Sequence, residues 1–178
     1  AVPKIMATNS DVEYWWSGAA LTHIDVTGAR DVEPPANVRV YAMAGTKHGP
    51  GSLPLTDTPL PGVRQQHWSN TADYRPIMRA VLHNLDCWVR EGVEPPASKV
   101  PRIADGTAVL RETLEPVFKG IPGMGFLKAL PVRQRLEYGP DMDNGIPHYP
   151  PVEGVPFPTV VSAVDADGNE VAGVRMTD

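Results

Sequence analysis

One histidine and two carboxylates stand where apolar runs of this chain stop. His48 closes the segment Asn37–Gly49, in which Val38–Met43 is apolar and β-branched and Gly45 opens a polar turn. Such a run reads as a buried strand. An imidazole raised on a turn at a sheet edge can serve as a general base, although many turn histidines are solvated and idle. Asp11 and Glu13 follow a shorter apolar run, Lys4–Thr8, and the turn-forming Asn9-Ser10. They suit an oriented carboxylate, or equally the first turn of a helix, where acids favour the dipole.

The elements needed to bring these groups together can be read from the spacing. After Asn9-Ser10-Asp11, the residues Val12–Leu21 carry Val12, Trp15, Trp16, Ala19 and Ala20 at helical spacing. They predict about three turns of helix, with both indoles packed on a sheet. Asp25–Pro35 is a connector that turns at Gly28 and stiffens at Pro34-Pro35 before Val38–Met43 begins. A helix that returns between two strands makes them parallel neighbours. Their C-terminal ends then lie side by side, so an acid after the first can meet an imidazole after the second. That is the geometry of a carboxylate orienting a catalytic histidine.

Beyond His48 the pattern alternates between loop and helix. Pro50–Thr71 holds four prolines and Gln66-His67-Trp68. A loop of that length is often functional, and Trp68 and His67 are candidates for a substrate pocket, the alternative being a stiff surface loop. Asp73–Gly92 predicts a long helix, with Asp73 as N-cap, Pro76 in the first turn and Gly92 just past the end. Ile77, Val81, Leu85 and Trp88, with Met78, Leu82 and Val89, form a broad apolar face expected to pack on the sheet. Cys87 falls among them as an inert thiol. After the connector Glu94–Pro101, Thr107–Leu114 reads as a short strand or a short helix. Asp165-Ala166-Asp167-Gly168-Asn169 is flanked by Val160–Val164 and Glu170–Arg175, which predicts a β-hairpin.

Composition narrows the function classes. The 20 prolines and 16 glycines among 178 residues predict much loop. The net charge of −5 is spread without blocks, which argues against a nucleic-acid or anionic-membrane partner. The single cysteine allows no intrachain disulfide and leaves the compartment open. No apolar run is long enough for a membrane span, and no leader of the signal-peptide kind is visible. No cofactor is expected. The glycines of Gly120–Phe126 lack the lysine and serine of a phosphate loop. Asp141, Asp143 and Asn144 resemble a calcium loop whose closing acid is missing, since position 152 is a valine. His23, His48, His67, His83 and His148 show no metal-ligand spacing.

Taken together, these segments resemble the C-terminal part of an α/β-hydrolase-fold domain family, in particular a bacterial branch. The resemblance rests on Asn9-Ser10 with Glu13-Tyr14-Trp15, the stretch Asn37–Gly51, and Asp73-Tyr74-Arg75-Pro76. It also uses Pro101–Thr107 and Val164–Gly173. The order of that fold, nucleophile, then acid, then histidine, implies that Lys4–Thr8 and Val38–Met43 are the last two strands of the main sheet. It implies His48 as base and Glu13 as acid, with Asp11 the alternative acid. The fold class implied is α/β: two parallel strands with a crossover helix and a long helix, then a loop-rich extension ending in a hairpin. Residues 1–92 would form the hydrolase core and 93–178 the extension.

The departure from the family lies in the nucleophile. Serines 10, 17, 52, 69, 98 and 162 all lie outside a Gly-x-Ser-x-Gly elbow. The resemblance therefore implies a serine and an oxyanion hole upstream, acting on carboxylic esters or related acyl bonds, and an inactive chain when alone. Ala1 opens inside a strand pattern without a methionine, and Val174–Asp178 stops within another. Both ends read as cut from something longer. The expected partners are the N-terminal part of the same protein and a small ester-like substrate. A non-catalytic binding module derived from the fold is the alternative.

Overall fold

The computed structural model describes residues 2–176; expectations attached to Ala1, Thr177 and Asp178 lie outside them. Its frame is a parallel pair, β1 (Ile5–Ser10) and β2 (Val38–Met43), in register from Ile5 opposite Val38 to Ser10 opposite Met43. Val40, Tyr41, Ala42 and Met43 are all buried. Burial on both faces is the condition under which a continuous apolar run is stable as a parallel strand. The other edge of β2 is filled by two short parallel bridges, Tyr41 to Lys99 and Met43 to Val174. Lys99 N–H donates to Val40 O at 2.9 Å, and Val174 N–H to Ala42 O at 2.6 Å. Gly173 makes the second approach possible. Its φ is +92°, and a Cβ there would lie 2.8 Å from Ala42 O.

Between the two strands runs α1 (Asp11–Ser17). The expected helix to Leu21 ends four residues early, because Gly18 turns left-handed at φ 70° and returns its N–H to Glu13 O. A single 3-10 turn over Ala19–Thr22 follows, placing Ala19 and Ala20 in the core. The indoles also part company. Trp15 packs inward, whereas Trp16 is half exposed.

Beyond β2, α2 (Arg75–Glu91) has Pro76 in its first turn and ends at left-handed Gly92. Its N-cap is Tyr74 rather than Asp73, whose carboxylate takes the Arg75 backbone N–H and guanidinium instead. The expected broad apolar face is also narrower. Trp88 alone is fully buried, held between Lys4 and Arg39, while Met78, Leu82 and Val89 face solvent. A two-stranded parallel pair offers too little surface to cover the whole stripe.

The second half contributes β3 (Ala108–Leu110), α3 (Glu115–Gly120), β4 (Gln134–Glu137), β5 (Val152–Pro156) and β6 (Val160–Ser162). Thr107–Leu114 resolves into both alternatives, strand β3 and then a 3-10 turn over Arg111–Leu114. β3 pairs antiparallel with β6, and β4 with β5. The Asp165–Asn169 turn closes with hydrogen bonds, but the expected hairpin is reduced to one bridge, Val164 to Glu170. The edge of β6 is taken by β3, and the returning arm leaves for β2 at Val174. One core cluster unites both halves: Tyr14, Ala20, Ile24 and Ala42 pack with Ala108, Leu114, Val160 and Val161. Among the described residues no helix is long and apolar enough to cross a membrane.

Candidate active site

Parallel register places the two strand ends together, Ser10 opposite Met43. At the first end α1 begins with a capping box. Glu13 Oε2 accepts the Ser10 backbone N–H at 2.5 Å and the Ser10 hydroxyl at 3.0 Å. This fixes one oxygen of Glu13 to its own helix terminus and leaves Oε1 for another donor. At the second end the chain turns through Gly45 at φ 63°. Thr46 Oγ1 donates to Met43 O at 2.7 Å, Asn70 Nδ2 to Gly45 O at 2.6 Å, and the Tyr74 hydroxyl to His48 O. These bonds fasten the turn on both sides of the imidazole.

His48 Nδ1 lies 3.0 Å from Glu13 Oε1. A carboxylate can only accept, so Nδ1 carries the proton and donates, and Nε2 is left with its lone pair. Among the described residues nothing bonds Nε2. The imidazole is 78% exposed and Glu13 27%. The pair therefore sits at the open C-terminal edge of the β1–β2 frame.

Asp11, two residues earlier, faces elsewhere. Its neighbour is Glu170, whose Oε2 accepts the Gly45 backbone N–H at 2.5 Å. Asp11 Oδ1 is buried and has no fixed donor. Burial raises the pKa of both carboxyls, and the adjacent Asp11 helps to push Glu170 up to about 9. Burial, with both acids adding, also raises the phenol of Tyr14. The Tyr14 hydroxyl lies 2.9 Å from Nε2 of His23, a core histidine that burial lowers to about 4. His23 is therefore neutral at physiological pH.

A cavity of about 920 Å³ opens beside these two half-buried acids, lined by Asp11, Trp15, His67, Phe118, Phe126 and Glu170 among others. Trp15 meets Phe118 and Phe126 edge-on, with ring centroids 5.9 and 6.0 Å apart. The volume is that of a pocket for a small organic molecule. Of the two pocket candidates, His67 is on its wall, whereas Trp68 is 69% exposed and off it. Among the described residues no three His, Cys, Asp or Glu side chains gather as a metal site would need. Glu170 escapes a sequence reading, because it stands in a hairpin pattern far along the chain from Asp11. The available signal is a second acid two residues before Glu13 with no partner of its own.

The family model described as "Alpha/beta hydrolase domain" matches residues 2–178. Comparison with curated proteins and with solved structures gives no match.

Proposed function

Because the chain belongs to the alpha/beta hydrolase domain family, we propose that it supplies the acid and the base of a serine-hydrolase triad acting on carboxylic esters or related acyl bonds. His48 is the base and Glu13 the acid. The nucleophilic serine and the oxyanion-hole N–H groups belong to a stretch N-terminal to these residues. The observation that carries this reading is the 3.0 Å approach of Glu13 Oε1 to His48 Nδ1, with Nε2 left open. Asp11 is the poorer acid, since its carboxyl is buried against Glu170.

In this mechanism the serine Oγ attacks the carbonyl carbon while His48 Nε2 accepts its proton. Glu13 keeps hold of Nδ1–H and stabilises the imidazolium. As the tetrahedral intermediate collapses, His48 returns the proton to the departing alkoxide, and an alcohol leaves. Water then enters, loses a proton to the same nitrogen, and frees the acid and the serine. The carboxylate never needs to take the proton itself.

The test is labelling with a fluorophosphonate serine probe, applied to the polypeptide that includes its N-terminal stretch and to the 178-residue chain alone. The expected result is a labelled serine outside residues 1–178, loss of label in His48→Ala, and no label on the chain alone. Undiminished labelling in His48→Ala, or none in any form, sinks the catalytic reading. The second of these results leaves a binding module built on the same fold.

A further inference from the structure

Glu170 stands between the bases of the two arms whose tips carry Glu13 and His48. One arm is the first turn of α1, where Asp11 precedes Glu13 by two residues; the other is the turn in which Gly45 precedes His48 by three. Glu170 touches both roots. Its Oε2 takes the Gly45 N–H at 2.5 Å, and its carboxyl lies against that of Asp11. The segment that carries it is tied down independently. Val171 N–H donates to Ala163 O at 3.0 Å, and Ala44 N–H to Val174 O at 3.1 Å.

Two half-buried carboxyls side by side resist ionising together, since the one N–H from Gly45 and the contact with the Trp15 indole only partly offset desolvation and repulsion. The hydrogen bonds show where a proton would go. Asp11 Oδ1 is a buried acceptor with no fixed donor, and Glu170 Oε2 is already occupied by an N–H. A proton on the Glu170 carboxyl gives Asp11 a donor and leaves Oε2 free to accept from Gly45. We propose that Glu170 is a positioning residue, a neutral acid whose single proton, shared with Asp11, clamps the His48 turn to the first turn of α1. The consequence for catalysis rests on the reading of Glu13 and His48 as acid and base; the clamp itself does not. The other groups facing it are the Tyr14 phenol and the Trp15 indole on α1, with His67 and Arg175 on the cavity wall. Burial, with Asp11 adding, holds the Glu170 carboxyl up at about 9, so the proton is retained at neutral pH.

The inference is tested on the 178-residue chain by carboxyl ¹³C NMR with labelled glutamate, together with amide exchange at Gly45 and the ¹⁵N tautomer signature of His48. The expected result is one glutamate resonance that stays protonated through neutrality and is missing in Glu170→Gln. The glutamine amide reproduces the neutral acid, donating to Asp11 and accepting from Gly45. Glu170→Gln should therefore keep both Gly45 protection and the Nδ1–H tautomer. Glu170→Ala should speed Gly45 exchange about tenfold, the size of one lost hydrogen bond, and blur the tautomer preference. A Glu170 carboxyl titrating in the ordinary carboxylate range overturns the proposal, as does an alanine variant with Gly45 and His48 unchanged. Should the alanine variant not fold, the titration and the glutamine variant decide alone. A protonated Glu170 alongside undiminished fluorophosphonate labelling in His48→Ala would keep the clamp and remove the catalytic reading.

Discussion

Two acids in one helical turn have opposite fates. On a helix, residues two apart point about 200° away from each other, so Asp11 and Glu13 face different sides of α1. Glu13 looks toward the open edge of the β1–β2 frame, where one oxygen caps the helix N-terminus and the other has His48 within reach. Asp11 looks inward to Glu170, where the carboxyl that replaces a cation can only share a proton. On the proposed triad reading the acid has to stay ionised to stabilise an imidazolium, which disfavours the inward-facing Asp11. The lesson is that proximity to a histidine in sequence counts for less than which face of the helix looks toward solvent.

The largest effect available is on turnover, and it asks whether the two acids can exchange roles. In the polypeptide that includes its N-terminal stretch, Glu13→Ala with Asp11 intact should slow fluorophosphonate labelling about 10⁴-fold, the scale of losing a triad carboxylate. Asp11→Asn, with Glu13 intact, should leave labelling much closer to the parent. Retained labelling in Glu13→Ala with loss in Asp11→Asn would reverse the assignment and break the contrast.

The buried side should show itself in stability against pH. Glu170, raised in the folded protein to about 9 from an ordinary 4.5, holds a proton that the unfolded chain has given up. Its contribution is complete below about pH 4.5 and is lost as pH rises to about 9. His23, lowered to about 4 from 6.5, works with the opposite sign. Its contribution is complete above pH 6.5 and is lost as pH falls toward 4. Between pH 4.5 and 6.5 the two oppose, and above 6.5 the raised carboxyl pair of Glu170 and Asp11 acts without His23. The urea midpoint should therefore hold nearly level across the first window and fall through the second. The slope for one proton is about 1.4 kcal/mol per pH unit. Glu170→Gln should abolish the alkaline fall and expose the acid-side rise that it masked. An alkaline limb that survives in Glu170→Gln assigns the proton to another group.

What the sequence makes legible follows the range of the interactions. The run Val38–Met43, the parallel pairing with the strand before it, and the placing of Glu13 and His48 at neighbouring strand ends all follow from local pattern plus one topological rule. Pro76 and Gly92 bracket α2 for equally local reasons. The failures are of two kinds. Periodicity gives the width of an apolar stripe but not the area of what it meets, so Met78, Leu82 and Val89 read as core and are exposed. Competition for edges is also invisible locally. The Asp165–Asn169 turn has hairpin chemistry, yet β3 claims β6 and β2 claims Val174, leaving one bridge. Glu170 combines both difficulties, because its partners are a helix terminus and a turn more than a hundred residues away.

The smallest effect sharpens the contrast most cleanly. Glu13→Gln keeps an acceptor for Ser10 and so preserves the capping box, while it removes the charge that faces His48. A hydrogen bond from an imidazole 78% exposed to a carboxylate adds little to folding, because solvent screens the attraction and side-chain entropy opposes it. The urea unfolding free energy of Glu13→Gln should therefore lie within about 0.5 kcal/mol of the parent at pH 7. The same substitution in the polypeptide that includes its N-terminal stretch should nearly silence labelling. A residue whose charge matters greatly to turnover and hardly at all to folding is kept for chemistry. A stability loss of about 2 kcal/mol or more would instead make Glu13 a helix anchor that happens to touch a histidine.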